Sequence, residues 1–167
     1  SPPVLQLTDS LDVGNVSSEK EHHFSIEGQT HAETLDDRYD SYESADNYSE
    51  NKDDGRAFNG SISFDVAISP DNQGVRLRDK INRYKNGIQT AIVYVDGKKL
   101  PQYWYILSYS DQKAKGDRSF DGWLESEYEI PMRYTKGKRN IRIRIAYVSA
   151  ANKELNSYFI KAYSYRL

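Results

Sequence analysis

Residues 71–100, DNQGVRLRDKINRYKNGIQTAIVYVDGKKL, decide the fold. Their first half crowds Arg76, Arg78, Lys80, Arg83 and Lys85 into a segment that reads as a loop. The second half is an apolar run, QTAIVYV, closed by Asp96-Gly97. An Asp-Gly pair supplies the two positive-φ positions of a two-residue hairpin turn, so a strand must precede it and a second strand must follow. QYWYILSYS at 102–110 is that return strand.

The same alternation recurs on either side. In SISFDVAI (61–68), Ile62, Phe64, Val66 and Ile68 alternate with smaller or polar residues, which describes a strand with one buried face. In NIRIRIAYV (140–148), Ile141, Ile143 and Ile145 face inward, and Arg142 and Arg144 face outward. WLESEYEIP (123–131) places Leu124, Tyr128 and Ile130 near a strand limited by Pro131. With VLQL (4–7), HHFSIEG (22–28) and NSYFIKAYSYRL (156–167), about eight or nine strands are expected. No helical stripe exceeds about two turns, and parallel crossovers of a dozen residues are missing. The expectation is one all-β domain over 1–167, an antiparallel β-sandwich of jelly-roll type. Residues 36–60 are dense in Asp, Ser, Asn and Tyr without apolar period and read as a long acidic surface loop.

Composition narrows the chemistry. The chain has no cysteine, hence no disulfide framework and no thiolate nucleophile. No apolar run is long enough to insert in a membrane, and the opening SPPVLQLTDS has no signal-peptide pattern, so an exported form requires a signal removed or carried by a longer parent. Charge is divided: residues 1–71 hold 16 Asp/Glu against 4 Lys/Arg, and residues 72–167 hold 9 against 19. The two halves neutralise one another if the acidic segment folds over the basic one. A nucleic-acid role is not expected, because the chain is net acidic and lacks the signatures of single-strand or groove-reading domains.

Catalytic motifs are sparse. His22, His23 and His31 form no HExxH, and no G-x-S-x-G, Walker or dinucleotide pattern occurs. Glu125, Glu127 and Glu129 project from one side of a strand about 6–7 Å apart, a separation compatible with a glycosidase carboxylate pair, but the simpler expectation is an outer face paired with Arg142 and Arg144. Asp36, Asp37 and Asp40 supply hard oxygen ligands for a possible structural calcium, without the spacing of an EF-hand. No other cofactor is expected.

What remains is a binding surface. Fourteen tyrosines and two tryptophans suit sheets, interfaces and sugar platforms. The candidate ligand-binding residues are Arg76, Arg78, Arg83, Tyr84, Tyr103, Tyr105, Asp121 and Trp123. In the triple Tyr103-Trp104-Tyr105 the middle ring faces opposite to the outer two, so either Trp104 is in the core and both tyrosines are exposed or the reverse holds, with a core Trp104 the favoured alternative.

The runs DNQGVRLRDK, AIVYVDGKKL, WLESEYEIP and YTKGKRNIRIRI together resemble the jelly-roll portion of the DUF2961 family of bacterial carbohydrate-active proteins, some of them glycoside hydrolases. The likeness spans about residues 61–165, through Gly74-Val75-Arg76-Leu77-Arg78 and Val93-Tyr94-Val95-Asp96-Gly97. LDVGNVSSEKEHHFSIEG is similar to the opening of accessory β-sandwich domains of bacterial β-L-arabinofuranosidases, through Val13, Gly14, Ser18, Glu19 and His22. The resemblances imply a non-catalytic carbohydrate-binding module of a secreted bacterial polysaccharide-degrading protein, extracellular, periplasmic or on the cell surface. Its partners would be an oligo- or polysaccharide and the catalytic domain of the same polypeptide. The alternatives are a structural domain packing on such a hydrolase domain, or a hydrolase in its own right.

Overall fold

The structure is a computed structural model that describes residues 2–37, 51–82, 88–107, 123–148 and 153–167, without the side chains of residues 36, 37, 51, 107 and 123. Among the described residues there are eleven strands: β1 (Val4–Asp12), β2 (Ser25–Asp37), β3 (Asn51–Ala67), β4 (Val75–Asn82), β5 (Gln89–Val95), β6 (Lys98–Lys99), β7 (Trp104–Leu107), β8 (Trp123–Ile130), β9 (Asn140–Tyr147), β10 (Leu155–Ser157) and β11 (Phe159–Arg166). A short helix, α1 (Val16–Glu21), follows β1, and a 3-10 turn occupies Met132–Tyr134.

The strands form two antiparallel sheets. One has the order β1-β11-β4-β8. The other has the order β10-β3-β9-β5-β6, with β2 added on β3 and β7 on β5. The pairings β1·β11, β3·β9, β4·β8 and β5·β7 are nested, as if one long hairpin had been rolled so that successive pairs fall alternately in the two layers. That is the jelly-roll arrangement, and it closes one core between two sheets. The innermost turn is Asp96-Gly97, with φ of 50° and 81°, the left-handed geometry that the sequence requires there.

The central strands contribute every second residue to the core. Ile62, Phe64 and Val66 of β3, Ile141, Ile143 and Ile145 of β9, and Ala91, Val93 and Val95 of β5 meet Val75, Leu77 and Ile81 of β4 and Ile160 and Ala162 of β11. Trp104, 1% exposed, crosses between the layers: it stacks on Tyr128 at 5.4 Å between centroids, and its Nε1–H donates to Ser126 Oγ at 3.0 Å. Burial pushes the Tyr128 hydroxyl up to about 12, so it remains a donor, to the Gln102 carbonyl at 2.7 Å.

Three expectations are corrected. The basic segment is not a loop through its first part: Val75–Asn82 is a central strand, with Val75, Leu77, Asp79 and Ile81 inward and Arg76, Arg78 and Lys80 outward. Residues 36, 37 and 51–60 of the expected acidic loop are strand, because β2 runs to Asp37 and β3 begins at Asn51, while 38–50 lie outside the described residues. Here the register Thr34↔Asp54 to Asp37↔Asn51 continues a ladder whose polar side chains hide it from periodicity. Gly55 lies in that stretch because β3 passes against β10; a Cβ there would sit within 2.8 Å of the Tyr158 ring. Finally, Glu125, Glu127 and Glu129 face β4, not Arg142 and Arg144, which belong to the other sheet.

Asp79 is the one carboxyl in the middle of the β4 core face. It accepts from Ser157 Oγ at 2.7 Å, and burial raises its pKa well above the ordinary value. A carboxyl raised by folding adds stability that is complete below its unfolded pKa and is lost as pH climbs toward the folded one. Asp79→Asn is therefore expected to melt higher than the parent at pH 7–8, by roughly 2–4 °C for each kcal/mol relieved, with the difference shrinking toward pH 4 in a calorimetric series.

Candidate functional site

Because every outward residue on one strand lies beside outward residues on its neighbours, the register writes the two outer faces of the sandwich. The four-stranded face is a cross-linked charge ladder. Arg76 Nε donates to Glu129 Oε1 at 2.5 Å, and Arg78 Nε donates to Glu127 Oε2 at 2.8 Å. Their guanidinium groups lie 5.6 and 4.9 Å from the rings of Tyr165 and Tyr163. Every cation in these rows has a carboxylate beside it. The carboxylates of β8 are thus engaged on an open sheet surface.

The seven-stranded face differs. One row runs Ser63 (β3), Arg144 (β9), Tyr94 (β5), Lys99 (β6). Arg144 lies 4.8 Å from the Tyr94 centroid and donates from Nε to Ser61 Oγ at 3.2 Å. Among the described residues, no carboxylate pairs with Arg144 or Lys99. Together Ser63, Tyr94, Gly97, Arg142 and Arg144 line a cleft of about 240 Å3. On the same face Tyr103 and Tyr105 are 43% and 57% exposed and meet edge to face at 6.2 Å, since the burial of Trp104 turns both outward.

In the next row Arg142 donates to Asp65 Oδ1 at 3.0 Å and to the His23 carbonyl at 3.2 Å. This pair separates the first cleft from a second of about 560 Å3, lined by Asp9, Glu21, His22, His23, Asp65 and Asn140 among others. The two histidines sit here because α1 ends just before them. Asn15 caps its start by accepting from the Ser18 N–H, and Glu19 turns back to Gly14 N–H and Arg56. His23 follows with φ of 50° and its Nδ1 2.8 Å from Asp65. His22 places Nδ1 2.7 Å from the Ser18 carbonyl and Nε2 2.8 Å from Asp9 Oδ1. Two ring nitrogens facing acceptors favour the imidazolium. Burial opposes that charge, but the bonds to Asp9 and Ser18 and the neighbouring carboxylates outweigh it and raise the pKa above 6.5.

The expected site residues do not gather. Arg76 and Arg78 lie on one outer face, Tyr103 and Tyr105 on the other, and Arg76 and Arg78 are held by Glu129 and Glu127 rather than by the acidic segment. Arg83, Tyr84, Asp121 and Asp40 lie outside the described residues. Trp123 begins β8, and Asp36 and Asp37 end β2, with side chains outside the description. Among the described residues no three metal-ligating side chains converge. Tyr94, Lys99, Arg142 and Arg144, which the structure places on one outer face, are not among the site residues expected from sequence. The signal for them was present: alternation puts Arg142 and Arg144 outside on β9 and Tyr94 outside on β5.

No protein family matches the chain, so the likeness to DUF2961 rests on the quoted motifs alone, and no curated protein matches either. Solved structures do. The ANXUR1 extracellular domain of Arabidopsis thaliana superposes with a TM-score of 0.61 at 9% identity, over 99% of this chain and 50% of that one. The ANX2 ectodomain of the same plant gives 0.60 at 8%, over 99% and 51%. A family 35 carbohydrate binding module from Clostridium thermocellum gives 0.47 at 11%, over 98% and 99%. The chain spans about half the length of the two plant ectodomains, and the likeness to them supports the β-sandwich fold.

The charge on His22 has a measurable sign. Its raised pKa contributes stability that is complete below the unfolded value near 6.5 and fades as pH rises through the folded one. In an NMR titration the His22 ring is expected to titrate above 6.5, and in Asp9→Asn to titrate lower, with a matching loss of thermal stability in the variant at pH 6.

Proposed function

We propose that this domain is a carbohydrate-binding module of an exported polysaccharide-degrading protein, and that it takes its sugar on the outer face of the seven-stranded sheet. The observation that carries this reading is the exposed pair Tyr103 and Tyr105 on the same face as the Tyr94–Arg144 cleft. Sugar rings present an axial-hydrogen face that packs on aromatic side chains, and their hydroxyls bond to fixed donors and acceptors. Tyrosine suits such a surface because its ring is rigid and its hydroxyl stays wet. Arg144 and Arg142 are pre-positioned, one by a ring and a serine, the other by Asp65 and a backbone carbonyl.

A second reading, packing against a neighbouring domain of the same polypeptide, is favoured by edge strand β1. Val4, Leu5 and Leu7 are exposed there, on the four-stranded sheet. The two surfaces lie in different sheets, so variants separate them.

Affinity electrophoresis against a panel of soluble plant and bacterial polysaccharides tests the first reading. At least one is expected to retard the domain. Tyr103→Ala and Tyr105→Ala should each weaken retardation several-fold, on the order of 1 kcal/mol per ring, while Arg78→Gln on the opposite face leaves it unchanged. Retardation lost in Arg78→Gln but kept in both tyrosine variants would move the site to the other sheet.

A further inference from the structure

We infer that the sugar bound at the Tyr94 cleft carries a carboxylate: the ligand is a uronic-acid-containing saccharide. This rests on the sugar-binding reading of that face and adds the chemical class of the unit that the cleft selects.

The selection is electrostatic. In the row Ser63, Arg144, Tyr94, Lys99, two cations flank one ring across adjacent strands, and among the described residues neither has a carboxylate partner. The same protein handles the same problem differently on its other face, where Arg76 and Arg78 each stand beside a glutamate on the next strand. Strands spaced about 4.8 Å apart place Lys99 two strand widths from Arg144 on the same outer face, on the far side of Tyr94, so the two cations add to one positive local field.

Geometry makes the guanidinium ready for that anion. Stacking on Tyr94 and the Nε–H bond to Ser61 fix its plane and leave the donors of both terminal nitrogens without partners among the described residues. A planar fork of parallel N–H groups matches the two oxygens of a carboxylate. The cleft of about 240 Å3 has room on the scale of one sugar ring, so the ring and its carboxylate can be recognised together. The charge of Arg142 on the cleft wall is offset by Asp65, and its Nη1 also bonds the His23 carbonyl, which leaves Arg144 as the discriminating cation inside the cleft, with Lys99 outside the lining on the far side of Tyr94.

The test is an array on which each uronate oligosaccharide is printed beside its carboxyl-reduced, neutral counterpart, with sulfated glycans included. The strongest binders are expected to be uronates, and carboxyl reduction is expected to weaken them about tenfold or more. Arg144→Gln combined with Lys99→Gln should lower uronate binding to the level of the reduced sugars, with an unchanged melting curve showing that the fold is intact. If the reduced sugars bind as well as the acids, or sulfated glycans outrank uronates, the carboxylate inference falls while the sugar-binding reading stands. If no glycan is retained by the parent, the sugar-binding reading falls and takes this inference with it.

Discussion

The contact between Trp104 and β8 organises this molecule. The indole belongs to a strand of the seven-stranded sheet, yet it stacks on Tyr128 and donates to Ser126, both on the edge strand of the four-stranded sheet. It thereby joins the two layers at one border. The strand pleat then leaves no choice for its neighbours: with Trp104 inside, Tyr103 and Tyr105 must stand outside. Burying a ring of this size supplies about 150–250 Å2 of contact, so the core drives the exposure of the two tyrosines as a by-product of its own packing.

The nested pairing does the rest. Rolling one long hairpin into two sheets places β4 and β8 side by side in one layer and β3, β9 and β5 in the other. In the first layer the alternating arginines of β4 meet the alternating glutamates of β8, and the outer face is electrically self-contained. In the second, the arginines of β9 lie between Ser63 and Asp65 of β3 on one side and Tyr94 of β5 on the other, so only Arg142 finds a carboxylate in its row. Among the described residues, a single fold thus yields one face whose arginines are paired with glutamates and one on which Arg144 and Lys99 have no carboxylate partner, and the difference follows the register.

Much of the fold was legible in the sequence. NIRIRIAYV and SISFDVAI announce strands by clean alternation, and Asp96-Gly97 announces the hairpin. The strand at Val75–Asn82 was hidden although its inward positions Val75, Leu77 and Ile81 keep period two, because Asp79 breaks the apolar set and the outward residues are nearly all cationic. The extension of β3 back to Asn51 was hidden for a different reason: pairing with β2 holds a stretch whose Asp and Gly residues disfavour strands. The site was harder. Alternation within one strand tells which residues share a face, but not which strands share a sheet. Arg76, Arg78, Tyr103 and Tyr105 therefore looked like one surface in the sequence, and only long-range pairing separates them. The histidine cluster depended on α1, six residues long, too short for a periodic signal.

The proposed place of ligand recognition is the outer face of the seven-stranded sheet. Mapping amide chemical shifts of the isotope-labelled domain during titration with a bound oligosaccharide tests it most directly. Perturbations are expected to concentrate at Tyr94, Lys99, Arg144, Tyr103 and Tyr105, with the amides of Arg76, Arg78 and Glu127 unmoved. Shifts centred on β4 and β8 instead would contradict it.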